Sequence, residues 1–388
     1  MRILQVSYTY PPFLEMGGPP VKVKAIAEGL AGRGHEVTVL TADHARPSRT
    51  HVRSSGGVEA VYLRTAGRYR SVPVTPGVFA FCRRRLSEFE VVHLYGLYDL
   101  TGPIVAGRAR RRGVPYVLEP MGMYRPLVRS FAKKRVYHLL FGRRLASGAS
   151  RIVATSEQER VELIGDGLDP RAMKVRRNGI DLQAFEQLPP RGRFRSKWGI
   201  DPAEPITLFL GRLSTKKHPE LALAAFARLP EPRGRLVFVG PDEDGYGQRL
   251  GDEASRLGVR EGLVFPGPLW DREKVEALVD ADVFVLPSEN ENFGNSVGEA
   301  MACGTPVIIT DRCGIAPYVR DRCGLVVPLD EDRISEALAR LIGEDGLRAR
   351  FAAEGPVVAR GLSWDEPVEQ TEAMYAELVE LQNARPGA

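Results

Sequence analysis

The chain has 388 residues, of which 43% are hydrophobic and 27% are charged, so it is long enough for two α/β domains with separate cores. No apolar run approaches the ~18 residues that span a bilayer, which argues against a membrane-spanning helix. The N-terminal residues read as a first strand, and no apolar core or cleavage site of a signal peptide follows them. The four cysteines lack the spacing of a metal site and suggest reduced thiols in the cytoplasm.

The charge is divided unevenly between the two halves of the chain. Residues 1–185 carry 30 Lys and Arg against 15 Asp and Glu, whereas residues 186–388 carry 24 against 34. A uniformly basic chain would indicate a nucleic-acid partner, which is not expected here. The asymmetry predicts instead that the first half faces something anionic.

The first predicted elements form a strand–helix–strand unit, with strands at residues 3–7 and 36–40 and a helix from about residue 21 to 31. The loop before the helix is rich in Pro and Gly and contains Gly17 and Gly18. Bare backbone amides at a helix N-terminus bind phosphate, so this loop is a candidate diphosphate site. A flexible turn is the alternative for any such Gly pair.

Residues 90–98 are predicted to form a short strand that runs into a loop, with His93 close to the carboxyl end of the strand. Ligands bind outside the carboxyl ends of strands in an open parallel sheet. His93 is therefore a candidate catalytic residue, and a hydrogen-bonded structural histidine is the alternative.

A strongly basic segment runs from residue 108 to residue 144, and its one acidic residue is Glu119. Its basic residues are Arg108, Arg110, Arg111, Arg112, Arg125, Arg129, Lys133, Lys134, Arg135, Arg143 and Arg144. Apolar residues are interleaved at roughly helical spacing. The segment is either a solvated helix with one face in the core or a contact for anionic lipid head groups or a phosphorylated acceptor.

The second domain is predicted to begin after a linker at residues 188–192, with a strand at residues 206–210. Arg212 and Lys217 follow this strand, ahead of a helix that starts near residue 220. A guanidinium fork and an ammonium point charge suit a diphosphate. Two cations after a strand are common, so this spacing alone carries little weight.

Residues 287–309 lie between two predicted buried strands and carry two carboxylates separated by seven residues, Glu291 and Glu299. Glu291 lies on the loop, and Glu299 lies about one turn inside a helix predicted at residues 296–302. The backbone amides at this helix N-terminus belong to Phe293, Gly294 and Asn295. Such amides carry partial positive charge and donate hydrogen bonds to oxygen ligands. One small site therefore offers carboxylates for sugar hydroxyls and amides for oxygen acceptors.

This string resembles the signature of the retaining GT-B-fold glycosyltransferases of glycosyltransferase family 4. In that signature the first Glu is followed by Phe-Gly-Asn, and the second by Ala-Met-Ala-x-Gly-Thr-Pro-Val-Ile. The resemblance runs from Ile3 to about Glu377 and includes the Gly-Gly loop, the Gly-Arg…Lys motif and an Asn-Gly-Ile-Asp hinge at residues 178–181. It implies an α/β GT-B fold with two Rossmann-like, doubly wound domains facing a cleft.

The resemblance also implies the division of the chain and its activity. Residues 1–185 would form the acceptor-side domain, with a C-terminal helix of residues 364–388 packing back on it, and residues 186–363 the nucleotide-sugar donor domain. The enzyme would move a sugar, with retention and without a metal or other cofactor, from a UDP or GDP donor to a hydroxyl acceptor. The expected role is cell-surface polysaccharide or glycolipid synthesis, with a lipid-linked acceptor met at the inner face of the membrane by a cytoplasmic protein.

Each site residue receives a role from the resemblance. Arg212, Lys217 and the two glycine amides would stabilise the leaving diphosphate, Glu291 would hold the sugar hydroxyls, and Glu299 the ribose. The implied donor-binding residues are Gly17, Gly18, Arg212, Lys217, Glu291, Asn292, Phe293, Gly294, Asn295 and Glu299. The implied catalytic residues are Glu291, Arg212, Lys217 and His93.

The chain departs from the family pattern at two positions in its first half. Tyr95 and Met121 stand where the family often has histidines, so the residue that contacts the transferred sugar is left open. Asp242 and Asp244 form an Asp-x-Asp pattern, which we reject as a metal site because it lies in a Gly/Pro loop of the second half. A nucleotide-sugar epimerase of the same fold and a non-catalytic nucleotide-sugar binding protein remain alternatives.

Overall fold

The computed structural model describes residues 1–13, 18–45, 49–69, 72–124, 135–242 and 245–384. The chain divides into two compact units, one formed by Met1–Gly179 with Trp364–Ala388 and the other by Ile180–Ser363. The division falls between Gly179 and Ile180, a few residues before the boundary at residue 185 that the sequence suggested.

The first unit is built on an eight-stranded sheet with the order β10-β9-β8-β7-β1-β2-β4-β3. Its neighbouring strands are parallel, except that the edge strand β3 runs antiparallel to β4. A separate antiparallel pair joins β5 and β6. The strands are β1 (Arg2–Ser7), β2 (Glu36–Ala42), β3 (His51–Ser55), β4 (Val58–Leu63), β5 (Gly67–Tyr69), β6 (Val72–Val74), β7 (Val91–Tyr95), β8 (Tyr116–Glu119), β9 (Arg151–Ala154) and β10 (Met173–Val175).

The helices described in this unit are α1 (Gly18–Gly32), α2 (Gly77–Arg85), α3 (Thr101–Arg111), α4 (Arg143–Ser147), α5 (Glu157–Gly165) and the C-terminal helix (Asp365–Asn383). Shorter helical turns span Leu86–Glu88, His138–Gly142 and Pro170–Ala172. The central strands are buried along nearly their whole length, which explains why they read as continuous apolar runs rather than as alternating ones.

The C-terminal helix belongs to the first unit although it follows the second unit in sequence. Tyr375 is fully buried, and Val368 packs so closely on α1 that a Cβ at Gly29 would lie 2.5 Å from Val368 Cγ2. The first unit therefore contains elements from both ends of the chain in one core.

The second unit holds six parallel strands in the order β13-β12-β11-β14-β15-β16. The strands are β11 (Ile206–Leu210), β12 (Arg235–Val239), β13 (Leu263–Gly267), β14 (Val283–Leu286), β15 (Val307–Thr310) and β16 (Gly324–Val327). The helices are α6 (Arg193–Trp198), α7 (Pro219–Ala227), α8 (Tyr246–Arg256), α9 (Asp271–Asp280), α10 (Asn295–Ala302), α11 (Ala316–Val319), α12 (Glu331–Gly343) and α13 (Asp345–Arg360), with turns at Leu182–Phe185, Thr215–Lys217 and Arg260–Gly262. This is the doubly wound order of a Rossmann-like domain, so the predicted fold class is confirmed.

The basic segment of residues 108–144 is not one amphipathic helix. Its described part is divided among the end of α3, the buried strand β8 and the helical residues around α4, whereas residues 125–134 lie outside the described ranges. The residues of β8 interrupt the basic stretch, and contact of this segment with an anionic partner remains a prediction. Across the described residues, no helix combines the length and the apolar character that crossing a bilayer would require.

Candidate active site

The predicted site residues of the second unit lie on loops that leave the carboxyl ends of β11 and β14. These strands are neighbours at the centre of the sheet, and the strand order reverses between them. Such a reversal point is where doubly wound sheets bind ligands, because the flanking loops diverge and leave a crevice. Arg212 and Lys217 come from the loop after β11, and Glu291 comes from the loop after β14. The topology brings together residues that are more than 70 positions apart.

Lys217 and Glu291 form an ion pair between these two loops, through Lys217 Nζ and Glu291 Oε1. Both side chains are largely buried, with 19% and 16% of their surface exposed. The loops are also joined at Lys216, whose carbonyl accepts hydrogen bonds from Glu289 N (2.9 Å) and Ser288 Oγ (3.1 Å). The position of the lysine relative to the carboxylate is therefore fixed by the backbone as well as by the ion pair.

A second set of hydrogen bonds ties the Glu291 loop to the segment that follows β15. Glu291 N donates to Arg312 O at 3.0 Å, and its carbonyl accepts from Gly314 N at 2.8 Å. Phe293 O accepts from Ile315 N at 2.8 Å, and the Phe293 ring is buried. Phe293 therefore anchors the loop, and its side chain is not available to a ligand.

Gly294 is the N-cap of α10 and has a φ of 103°, in the region that favours glycine. A Cβ at this position would lie 3.2 Å from both Ile315 Cγ2 and Val297 Cγ2. The turn directs Asn295 into the first turn of α10. Beside it, the side-chain amide nitrogen of Asn292 is buried and has no hydrogen-bond partner among the described residues. A buried donor without a partner is costly, so this amide suits a ligand oxygen.

Glu299 lies on the second turn of α10 and pairs with a residue that the sequence analysis did not identify. Lys274 Nζ, on α9, lies 2.7 Å from Glu299 Oε1. About a quarter of each side chain is exposed. Each carboxylate of the Glu-x7-Glu motif is thus held by its own lysine from a different loop or helix. The local sequence could not identify Lys274 as a site residue, because its partner Glu299 is 25 positions away in the chain.

Arg212 is exposed on the loop after β11, and backbone hydrogen bonds fix this loop to the one after β12. Gly211 N donates to Val239 O and Leu213 N donates to Pro241 O, both at 2.9 Å. Asp242 on the second loop accepts hydrogen bonds from the first amides of α8, at 2.6 and 3.1 Å. This carboxylate therefore caps a helix, whereas Asp244 lies outside the described residues. Within those residues no group of His, Cys, Asp and Glu has the arrangement of a metal site.

The predicted site residues of the first unit are Gly17, Gly18 and His93. Gly18 is the exposed first residue of α1, and Gly17 lies outside the described residues. His93 is fully buried on β7, with its Nδ1 2.6 Å from the hydroxyl of Tyr375 and its ring stacked on Tyr95. Burial lowers the pKa of His93 to about 4 although Glu119 opposes the shift. These contacts favour a structural histidine over a group that touches a sugar.

His93 borders a buried charge network that the sequence analysis did not anticipate. Glu119, at the end of β8, accepts hydrogen bonds from Lys22 on α1 and Arg176 after β10. All three side chains are at most 4% exposed. Burial alone would raise the pKa of Glu119, but the Arg176 and Lys22 cations outweigh it and hold this pKa well below its usual range. The only signal in the sequence was a Glu at the end of an apolar strand.

Arg176 extends this network to the C-terminal helix, where its guanidinium donates to Thr371 Oγ1 at 3.0 Å. Lys22 Nζ also donates to Thr155 Oγ1 at 3.1 Å. Glu159 accepts from the backbone amides of Gly122 and Thr155. The network therefore joins elements from both ends of the first unit's sequence, which is typical of a structural device.

Met121, at the second departure from the family pattern, has a φ of 54°. A non-glycine residue in this region is uncommon, and such strain concentrates at functional loops. The loop after β8 thus has an uncommon backbone conformation at Met121, whose thioether side chain has no hydrogen-bond donor.

Both halves of the chain match known families. Residues 190–357 match the family described as glycosyl transferases group 1, and residues 17–179 match the glycosyl transferase 4-like domain. The chain is 30% identical over 390 residues to a D-inositol 3-phosphate glycosyltransferase of Streptomyces bingchenggensis, with 94% of this chain and 85% of that protein covered. A protein of the same name from Kineococcus radiotolerans is 29% identical, with 96% and 93% covered.

Solved structures share the fold over nearly the whole chain. Sucrose-phosphate synthase from Thermosynechococcus elongatus has a TM-score of 0.78 at 22% identity, with 98% of this chain and 99% of that chain covered. The Anabaena protein HepE, in complex with UDP and glucose, has a TM-score of 0.75 at 19% identity, with 97% and 100% covered.

Proposed function

The chain belongs to the group 1 glycosyl transferases and has the GT-B fold, and from that premise we propose that it transfers a hexose from a nucleoside diphosphate donor to a hydroxyl acceptor. The donor binds at the reversal point of the second unit's sheet. The observation that carries this proposal is the pair of carboxylates on one loop and helix, Glu291 and Glu299, each held by its own lysine. UDP is the first nucleotide to test, because the fold neighbour HepE binds it.

The leaving diphosphate develops negative charge as the glycosidic bond breaks. Arg212 and Lys217 supply two cations on the loop after β11, and Lys217 contacts Glu291 on the loop that leads into α10. Groups that are already oriented toward developing charge each contribute about 3 kcal/mol to catalysis. These cations can stabilise the diphosphate without a divalent metal.

The two carboxylates serve different parts of the donor. Glu291 lies on the loop beside Lys217 and binds hydroxyls of the sugar, whereas Glu299 lies on the helix beside Lys274 and binds the ribose. One oxygen of the Glu291 carboxylate is engaged by the Lys217 ammonium, which suits Glu291 to a binding role. We therefore propose retention by attack of the acceptor on the same face, with its proton passing to the leaving phosphate.

We propose that the acceptor carries a phosphate group. The excess of positive charge in residues 1–185 and the relatives named for D-inositol 3-phosphate support this class of acceptor. A soluble polyol phosphate and a lipid-linked phosphate share this chemistry, and the second would place the enzyme in glycolipid or cell-surface polysaccharide synthesis.

We propose further that the first unit docks on an anionic bilayer at the cytoplasmic face of the membrane. Around α4, apolar side chains are exposed beside arginines: Val136, Leu139 and Leu140 are more than half exposed, and Arg135, Arg143 and Arg144 flank them. Apolar side chains enter the head-group region while arginines pair with lipid phosphates. Lys133 and Lys134 of the basic segment lie outside the described residues, so Leu139 and Leu140 are the test positions.

Transfer is tested by incubating the protein with UDP-, GDP- and ADP-hexoses and three acceptors: inositol 3-phosphate, unphosphorylated inositol and a polyprenyl phosphate sugar in vesicles. We expect nucleotide release that depends on a phosphorylated acceptor, and a product with the anomeric configuration of the donor by NMR. Sugar isomerisation without transfer would identify an epimerase, and nucleotide binding without turnover would identify a binding protein.

Docking is tested by co-sedimentation with vesicles of phosphatidylglycerol or of neutral phosphatidylcholine. Binding to the anionic vesicles should fade at 1 M salt, where the screening length is about 3 Å, and should weaken in Leu139→Ser/Leu140→Ser. A wild type that ignores anionic vesicles at low salt would refute the docking surface and favour a soluble acceptor.

A further inference from the structure

We infer that Lys274 is a positioning residue of the donor site, which holds the Glu299 carboxylate in the orientation that binds the ribose hydroxyls. The inference rests on the proposed function, because that function gives Glu299 its ligand. It adds a residue that lies outside the Glu-x7-Glu motif and outside the cations after β11.

The two helices that carry this pair are fixed to each other by a third residue. Thr305 Oγ1 donates to Leu278 O of α9 at 2.6 Å, and Thr305 N donates to Ala300 O of α10 at 2.9 Å. Thr305 is itself buried. Lys274 and Glu299 therefore project from two helices whose separation is set by the backbone, which makes their 2.7 Å contact a fixed feature of the unit.

The contact uses one oxygen of the carboxylate and leaves the other for a ligand. Lys274 Nζ lies 2.7 Å from Glu299 Oε1, and each carboxylate oxygen has two acceptor sites. Oε2 and the second acceptor site of Oε1 remain for two neighbouring hydroxyls, which is the arrangement of the ribose 2′- and 3′-hydroxyls. Without the ammonium, the carboxylate on an outward-facing helical side chain would rotate among several rotamers.

Lys274 and Lys217 have different surroundings, which indicates that they have different roles. Lys217 lies in a loop with Arg212, among the cations proposed for the diphosphate, whereas Lys274 lies inside α9 with buried neighbours such as Val275 and Leu278. A cation on a helix that is anchored in the core is suited to orient a neighbouring group.

A double-mutant cycle of Lys274→Met and Glu299→Ala tests the inference, with calorimetric affinities for UDP and 2′-deoxy-UDP. Lys274→Met should weaken UDP binding about 10-fold, the size expected for a misplaced hydrogen bond to a charged group, and should weaken 2′-deoxy-UDP binding less, because only the 3′-hydroxyl contact is left to lose. In the Glu299→Ala background, Lys274→Met should cause no further loss. Lys274→Arg should restore most of the affinity, because it keeps a cation within reach.

Lys197→Met is the matched control, because it breaks the ion pair with Glu273, the residue next to Lys274 on α9. It should leave both affinities unchanged, and thermal melting of each variant checks that the unit is folded. An equal loss for UDP and 2′-deoxy-UDP, a further loss in the Glu299→Ala background, or no loss at all would overturn the positioning role. Unchanged UDP binding in Glu299→Ala alone would instead overturn the proposed ribose site.

Discussion

Glu119→Gln removes the charge at the centre of the buried network in the first unit, and we expect it to destabilise that unit strongly. Glu119 accepts hydrogen bonds from Lys22 and Arg176, and the three side chains are almost completely buried. The substitution keeps the side-chain volume but leaves two buried cations facing a neutral amide. The other buried carboxylate nearby, Glu159, is held by backbone amides and cannot move to replace the lost partner.

Removal of one member of a buried ion pair costs about 3–5 kcal/mol, because the remaining charge stays desolvated without a partner. A folded domain is stabilised by only about 5–15 kcal/mol, so this loss is a large fraction of the stability of the unit. Glu372→Gln is the matched control: its carboxylate pairs with Arg33 and His35 at 2.8 Å, but these side chains are partly exposed. Exposed pairs contribute about 0.2–1 kcal/mol.

Urea unfolding followed by tryptophan fluorescence measures the effect on the first unit separately. The chain has three tryptophans, of which Trp364 belongs to the first unit and Trp198 and Trp270 to the second. In a Trp198→Phe/Trp270→Phe background, Trp364 reports the first unit alone. A Glu119→Gln variant that unfolds at the same urea concentration as Glu372→Gln would refute the reasoning, since it would mean that the buried charges are compensated elsewhere.

Three further predictions follow from the two units. His93 has a folded pKa of about 4, below its ordinary value of about 6.5, so the unfolded chain binds the proton first as the pH falls. Stability of the first unit should therefore drop by about 3 kcal/mol between pH 6.5 and 4, and this drop should be absent from His93→Gln in acid titrations of urea unfolding; equal slopes in both proteins would contradict it. Transfer should persist in EDTA because Arg212 and Lys217 supply the positive charge, and loss of activity that manganese restores would show the opposite. Gly294→Ala should destabilise the second unit by about 1–2 kcal/mol in urea unfolding, because Gly294 has a positive φ. Gly343→Ala is the control, because open space surrounds Gly343 and its substitution should not destabilise the unit. Equal urea midpoints of unfolding for the two variants would argue against strain at Gly294.

The sequence predicted the fold class and the family because both depend on patterns of residues that are close together in the chain. The helix predicted at residues 296–302 begins one residue earlier, at Asn295, and the apolar runs before and after it are the buried strands β14 and β15. The strands and helix between residues 43 and 89 were not assigned, because edge strands such as β3 lack the continuous apolar run of a central strand.

The parts of the site that sequence reasoning missed depend on long-range pairing. Lys274 meets Glu299 across 25 positions, and Glu119 meets Arg176 across 57. Neither contact has a local spacing that could identify it. His93 shows the converse: its place near the end of a central strand made it a candidate for catalysis, while its contact with Tyr375 depends on the C-terminal helix, which is distant in sequence.

The most direct test of the proposed chemistry is the turnover of Lys217→Ala compared with its neighbour Lys216→Ala, at saturating donor and acceptor. Lys217 pairs with Glu291 through its ammonium at the reversal point of the sheet, whereas Lys216 joins the two loops through its backbone carbonyl, which alanine retains. We expect kcat for sugar transfer to fall about 100- to 1,000-fold in Lys217→Ala, through lost stabilisation of the leaving diphosphate, and to stay within a few-fold of the wild type in Lys216→Ala. Equal turnover in the two folded variants would contradict the assignment of this site to glycosyl transfer.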